Sequence, residues 1–231
     1  IGVGADTNGT ADRYGAIAIG MQATALRTGV AIGMGSKAYD DAISIGAESR
    51  AEKTGIAFGA DSRTEEGGIA FGTRAQAETY SFAIGTGAIA THTFSMAIGS
   101  TATSGAYGAI SLGNLAQSTG SFALAVGDAA QAKATGATAL GGRTAATKDY
   151  ATAVGYGAQA TQQDAVAIGT GAVANHASSV AIGAGATTAA VGGIGYLTDQ
   201  LAPVATFSIG NGTANRRIQN MADGAADSDG V

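Results

Sequence analysis

The chain has 231 residues, with 38 Gly, 54 Ala, one Pro, no Cys and no Trp. A single Pro excludes collagen, and the missing Cys excludes a disulfide-stapled mini-protein. With 45% apolar residues, only 13% charged, a net charge of −5 and a pI near 4.8, neither charge-driven disorder nor an electrostatic nucleic-acid binder is expected.

Taken along the chain, Ile1 opens no basic-then-apolar leader, and no apolar run approaches the roughly 18 residues of a membrane-spanning helix. The chain reads as a segment of something longer. From Ala18 onward one tripeptide recurs: a small residue, an aliphatic residue or Phe, then Gly. Its glycines are Gly20, Gly33, Gly46, Gly59, Gly72 and Gly85, spaced by 13, and then Gly99, Gly113, Gly127, Gly141, Gly155, Gly169 and Gly183, spaced by 14. Ile1-Gly2 is an earlier copy, with a five-residue insertion before Gly20.

The columns around each glycine have physical meaning. One residue before it stand Ile19, Ile32, Ile45, Phe58, Phe71, Ile84, Ile98, Leu112, Val126, Leu140, Val154, Ile168 and Ile182. Two positions earlier there is a second, mostly large residue, with Ala or Ser between. Apolar, small, apolar is a period of two, the strand signature. Beyond the glycine, small residues recur at its third and fifth followers, such as Ala23 and Ala25. The position between them varies freely (Lys37, Arg50, Arg63, Gln76, Gln117, Gln131, Gln159) and reads as solvent-facing.

Each unit is therefore expected to hold two strands of roughly five residues and two tight turns, stacked about 4.8 Å apart in parallel ladders. Fourteen coils give a rod of roughly 65 Å. Two sizeable buried side chains per coil are too few to offset the ordering of 13 or 14 residues, so lateral association is expected. The thirteen aliphatic and Phe residues, or the Ala columns, would form the shared core.

These residues resemble the head of trimeric autotransporter adhesins, the YadA-like family of bacterial surface proteins. The family repeat is similar to Ala-Ile-Gly-x-x-Ala-x-Ala, and it covers about 1–187 here. Phe207 to Asn211, Arg217-Ile218-Gln219-Asn220-Met221-Ala222-Asp223-Gly224 and then Asp227-Ser228-Asp229-Gly230-Val231 look like the family's neck, with Met221 and Gly230 as departures. Arg217, Ile218, Asn220, Gly224, Asp227 and Asp229 are its candidate residues. The resemblance implies an all-β, left-handed parallel β-roll and a homotrimer, divided into a head at 1–187, a connector at 188–206 and the start of a neck at 207–231. It implies an extracellular location, with a stalk and an outer-membrane anchor outside this segment. It also implies attachment to host cells or to matrix proteins such as collagen, fibronectin and laminin, with autoagglutination as a further family property. A spacer without a ligand of its own is the alternative. Segment 188–206 breaks the period. It is either an insertion that packs under the head or clasps a neighbour, or a loop that orders on contact.

No catalytic, cofactor or metal constellation emerges. His92 and His176 occupy equivalent positions six coils apart, roughly 29 Å along the stack, and cannot share a metal. No nucleophile elbow, phosphate loop or calcium-roll motif occurs, so the chain is not expected to be an enzyme. Tyr14, Tyr39, Tyr80, Tyr107 and Tyr150 lie five to seven residues before a repeat glycine. They either contact an extended ligand or cap the coil edges. Residues 1–80 hold seven bases and ten acids, while 81–185 hold three of each.

Overall fold

The computed structural model describes residues 2, 5–7, 15–192 and 203–219. A three-residue strand, first Ile17–Ile19 and in the last full coil Val180–Ile182, runs into each repeat glycine. A turn then leads to a two-residue strand, first Thr24–Ala25 and last Val173–Ala174. The long strands form one parallel sheet of 14, which ends in Phe207–Ser208, and the short strands form a second parallel sheet of 12. The architecture is the parallel β-roll that the period predicts.

The strands are shorter than the five residues expected. Both turns are closed by i-to-i+3 hydrogen bonds, such as Ala23 N to the Gly20 carbonyl at 3.2 Å and Gly29 N to the Leu26 carbonyl at 2.9 Å. Two four-residue turns in a period of 13 leave only three- and two-residue strands. Register never slips: Ile17 pairs with Val30, and Ile84 pairs with Ile98 across the change of period. The extra residue of the longer coils enters the turn after the short strand, between Ala90 and Met96, where the shorter coils run from Ala77 to Phe82.

Both ends of the stack extend beyond the regular coils. Asp6 bridges Thr24 in parallel, and Ala5 N donates to the Gly2 carbonyl, so the copy at Gly2 sits on the coil of Gly20. At the other end Val180 pairs with Phe207, and Thr187 N donates to the Gly210 carbonyl at 2.8 Å. Residues 207–210, which the resemblance assigns to the neck, thus stack as one more long strand and its glycine. From the connector, Thr188 is buried, and its hydroxyl meets Asn175 Oδ1 at 2.9 Å and His176 Nδ1 at 3.2 Å.

The interior differs from expectation. Among the described residues, no side chain larger than Thr lies between the two sheets. The residues that point inward are Ala and Ser, such as Ala97, Ala102, Ser104 and Ala109 in one stretch, with Thr64 and Thr144 in the same role. The large side chains of the long strands point outward. A coil this thin leaves room for nothing larger than a Thr side chain, so the usual sorting of large apolar residues to the inside is reversed. The glycine column shows how close the backbones come. A Cβ on Gly99 would collide with the carbonyl of Gly113, and φ there is +136°, a value that side chains avoid. Buried hydroxyls join the two sheets: Ser118 Oγ donates to the Ile110 carbonyl at 2.6 Å, and Ser111 Oγ to that of Thr103 at 2.7 Å.

Candidate functional site

With small residues inside, every side chain larger than Thr among the described residues is on a surface. The long-strand face carries two columns along the rod, one apolar throughout and one apolar except at Thr138 and Thr152. Ile19, Phe58, Phe71, Ile84, Leu140, Ile168 and Ile182 are exposed, while Ile32, Ile45, Ile98, Leu112, Val126 and Val154 are half-buried by their column neighbours. The rings of Phe58 and Phe71 stack at 4.7 Å with 5° between their planes. A continuous apolar face of this length marks an interaction surface.

The turn before the long strand carries a second feature. Tyr80, Phe94, Tyr107 and Phe122 follow one another on successive coils, with ring centroids 6.1, 5.8 and 5.5 Å apart. Tyr150 continues the row after a gap at Gly136, over which its ring lies. All five are exposed. Tyr80, Phe94, Phe122 and Tyr150 have φ between +52° and +61°, in the turn position that other coils fill with Gly67, Gly108 and Gly136 or with Asp41, Thr54, Asp164 and Ser178, also at positive φ. A bulky side chain there costs roughly 1–2 kcal/mol relative to glycine. Phe94 and Phe122 were missed in the sequence because only tyrosines were followed. Their shared position, five residues before Gly99 and Gly127, was the available signal. Tyr39 stands apart from the row, on the short-strand face, with the Arg50 guanidinium 5.2 Å from its ring centroid. Tyr14 lies outside the described residues.

The short-strand face is charged in its first half. Lys37, Arg50 and Arg63 are neighbours on adjacent strands. They share an open groove of about 460 Å³ with Glu48, Glu52, Glu65 and Glu78. Arg50 Nε donates to Glu52 Oε1 at 2.8 Å, and this bond raises the guanidinium pKa against the opposing effect of burial. His92 is exposed and His176 half-buried, so they serve separate coils.

At the C-terminal end the guanidinium of Arg216 donates to the carbonyls of Ile209 and Ala184 and covers Gly183. It takes the place that the following coil's glycine carbonyl fills elsewhere. Arg217 and Ile218, the expected neck residues, are exposed beside it, while Asn220, Gly224, Asp227 and Asp229 lie outside the described residues.

Residues 64–88, 78–102, 118–144, 132–158, 146–172 and 160–186 match the YadA head domain repeat, two copies to each match. The coils of these spans are YadA-type head repeats. The coils before residue 64 continue the same ladders in unbroken register, so the roll begins well before the matched spans. The crystal structure of the collagen-binding domain of the Yersinia adhesin YadA aligns with 22% identity and a TM-score of 0.34, over 98% of this chain and 81% of that one. No curated protein matches the chain.

Proposed function

We propose that this adhesin-type head works as a homotrimer on a bacterial outer membrane and holds an extended host ligand along its aromatic row. The ligand class is a matrix protein such as collagen, fibronectin or laminin, or a host-cell surface. Three copies would cover one another's apolar long-strand faces, and stalk and anchor would follow the neck. Weak contacts repeated on three subunits then add through avidity.

The observation that carries this reading is the aromatic row. Its rings follow one another on successive coils in mutual contact and remain exposed, at a turn position that other coils fill with glycine or with small polar residues. A contiguous row of exposed aromatic rings is the pattern of a contact site.

The test is a solid-phase panel of collagen, fibronectin and laminin against the chain and against the double variant Phe94→Gly, Phe122→Gly. Glycine relieves the backbone at both positions, so the variant is expected to fold as well as the parent and to lose at least about tenfold in binding. Equal binding by the two proteins removes the row from the site, and no binding to any matrix protein or host cell removes the function. A spacer role is the second reading, favoured by the neutral, repetitive short-strand face of Gln117, Gln131 and Gln159. Unchanged attachment of cells after deletion of these coils would establish it.

A further inference from the structure

The charged groove of the short-strand face is built from two columns that run along the rod. One holds Lys37, Arg50, Arg63 and Gln76 at the outward position of adjacent short strands. The other lies two residues further along each coil and holds Tyr39, Glu52, Glu65 and Glu78, whose backbones are tied in the same register. Neighbours within each column are about 4.8 Å apart, so like charges sit side by side in both. Arg50 pairs with Glu52 on its own strand. Among the described residues, Lys37, Arg63 and Glu78 have no side-chain hydrogen bond or ion pair.

Neither a polyanion nor a polycation fits this groove, since each would be drawn by one column and repelled by the other a few ångströms away. A complementary partner must carry an acidic and a basic stripe, in register, on strands of the same spacing. A second copy of this chain carries that pattern.

We propose that this face joins two heads side by side and parallel, about a two-fold axis that runs along the rod between the two columns. Such an axis sets each residue of one column opposite the other column of the second copy at the same height. Arg50 meets Glu52 of a second copy, Arg63 meets Glu65, Gln76 meets Glu78, and Lys37 meets the ring of Tyr39. Every contact occurs twice, and none sets like charges together. Turning one rod end for end about an axis across the face does the reverse, with cations on cations and acids on acids. The face is therefore selective for heads that point the same way, as they do when displayed from one surface. Each contact is exposed and weak, so the association depends on the density of heads. This inference goes beyond attachment to a host and does not require it.

The test uses two charge-reversed forms of the chain, Arg50→Glu with Arg63→Glu, and Glu52→Arg with Glu65→Arg, followed by sedimentation at low ionic strength. The parent is expected to assemble beyond its basal mass and to lose this as salt rises to about 1 M, where the Debye length falls to ~3 Å. Each variant alone is expected to stay at the basal mass, and an equimolar mixture to assemble at least about tenfold more tightly than either alone. Orientation is read from cysteines in a chain that has none: mixed Gln76→Cys and Glu78→Cys proteins should form the 76–78 disulfide. The proposal is overturned if the parent never assembles, if either variant assembles like the parent, if the mixture does not recover, or if 76–76 pairs dominate. The basal mass at high salt reports separately on how the apolar face is covered, so a failure there is distinguishable.

Discussion

The coils from Gly20 to Gly85 and those from Gly99 to Gly183 share the same ladders, the same inward positions and an outward column of aliphatic and Phe residues, yet they differ in turn length and in what the short-strand face carries. The earlier coils carry Lys37, Arg50 and Arg63 on the short-strand face, where the later ones carry Gln117, Gln131, Ala145 and Val173. They also differ inside. One continuous alanine cluster runs from Ala116 to Ala186, whereas the coils before it hold two, Ala18 to Ala57 and, reaching just past Gly99, Ala70 to Ala102, separated at Ser62 and Thr64. The lesson is a division of labour. Glycine and the small inward residues set the winding, and a chain that keeps those columns is free to vary its outer surface coil by coil.

The strongest way to break this comparison is through the column that both halves share. Gly59→Ala and Gly127→Ala each place a Cβ against the carbonyl group of the next coil's glycine, at φ of +134° and +131°. Each is expected to cost about 3 kcal/mol or more in denaturant unfolding, in either half alike. Gly157→Ala is the control: its φ is +65° with no atom within 4 Å of the new Cβ, and the expected cost is about 1 kcal/mol. A mild effect at Gly59 would mean that the earlier coils are not wound by the same constraint.

The next effect concerns association. Phe71→Ser and Ile168→Ser remove half-bare side chains from the long-strand face of either half. Since neither contributes to the interior, the lone chain should lose less than about 1 kcal/mol from each. If three copies bury these columns together, the double variant should sediment as a monomer at concentrations where the parent is a trimer. A parent that is itself a monomer would end the trimeric reading.

How much of this was legible follows from what repeats. The period, the two strands per coil and the solvent-facing variable column all recur at fixed spacing, and Arg50 or Gln159 could be placed without coordinates. The sense of inside and outside could not. Ala97 and Ile98 are both apolar, and alternation alone does not say which one points inward. The usual expectation that the larger is buried fails here because the gap between the sheets is too narrow for Ile98. The aromatic row was half visible, since Tyr80 and Tyr107 were picked out by type while Phe94 between them was not. Arg216 had no sequence signal of its own, because its role depends on the glycine column breaking off after Gly183 and on the Ala184 and Ile209 carbonyls that the last strand leaves open to it.

The smallest effect sharpens the difference between the two interiors. Among the described residues, Thr64 Oγ1 is the buried side-chain polar atom without a hydrogen-bond partner, and it lies where the alanine clusters of the earlier coils are interrupted. Thr64→Val replaces the unsatisfied hydroxyl by a methyl group of similar size and joins the clusters, so it should raise stability by up to about 1 kcal/mol. Ser118→Ala in the later coils removes a hydroxyl bonded to the Ile110 carbonyl and should lower stability by about 1 kcal/mol. Thr64→Val exchanges the hydroxyl for a methyl group and Ser118→Ala exchanges it for hydrogen, each leaving the rest of the side chain in the same inward column, so opposite signs in matched unfolding curves separate the hydrogen bond from the packing. Equal signs would show that the alanine lattice, and not the satisfaction of its hydroxyls, sets the stability of both halves.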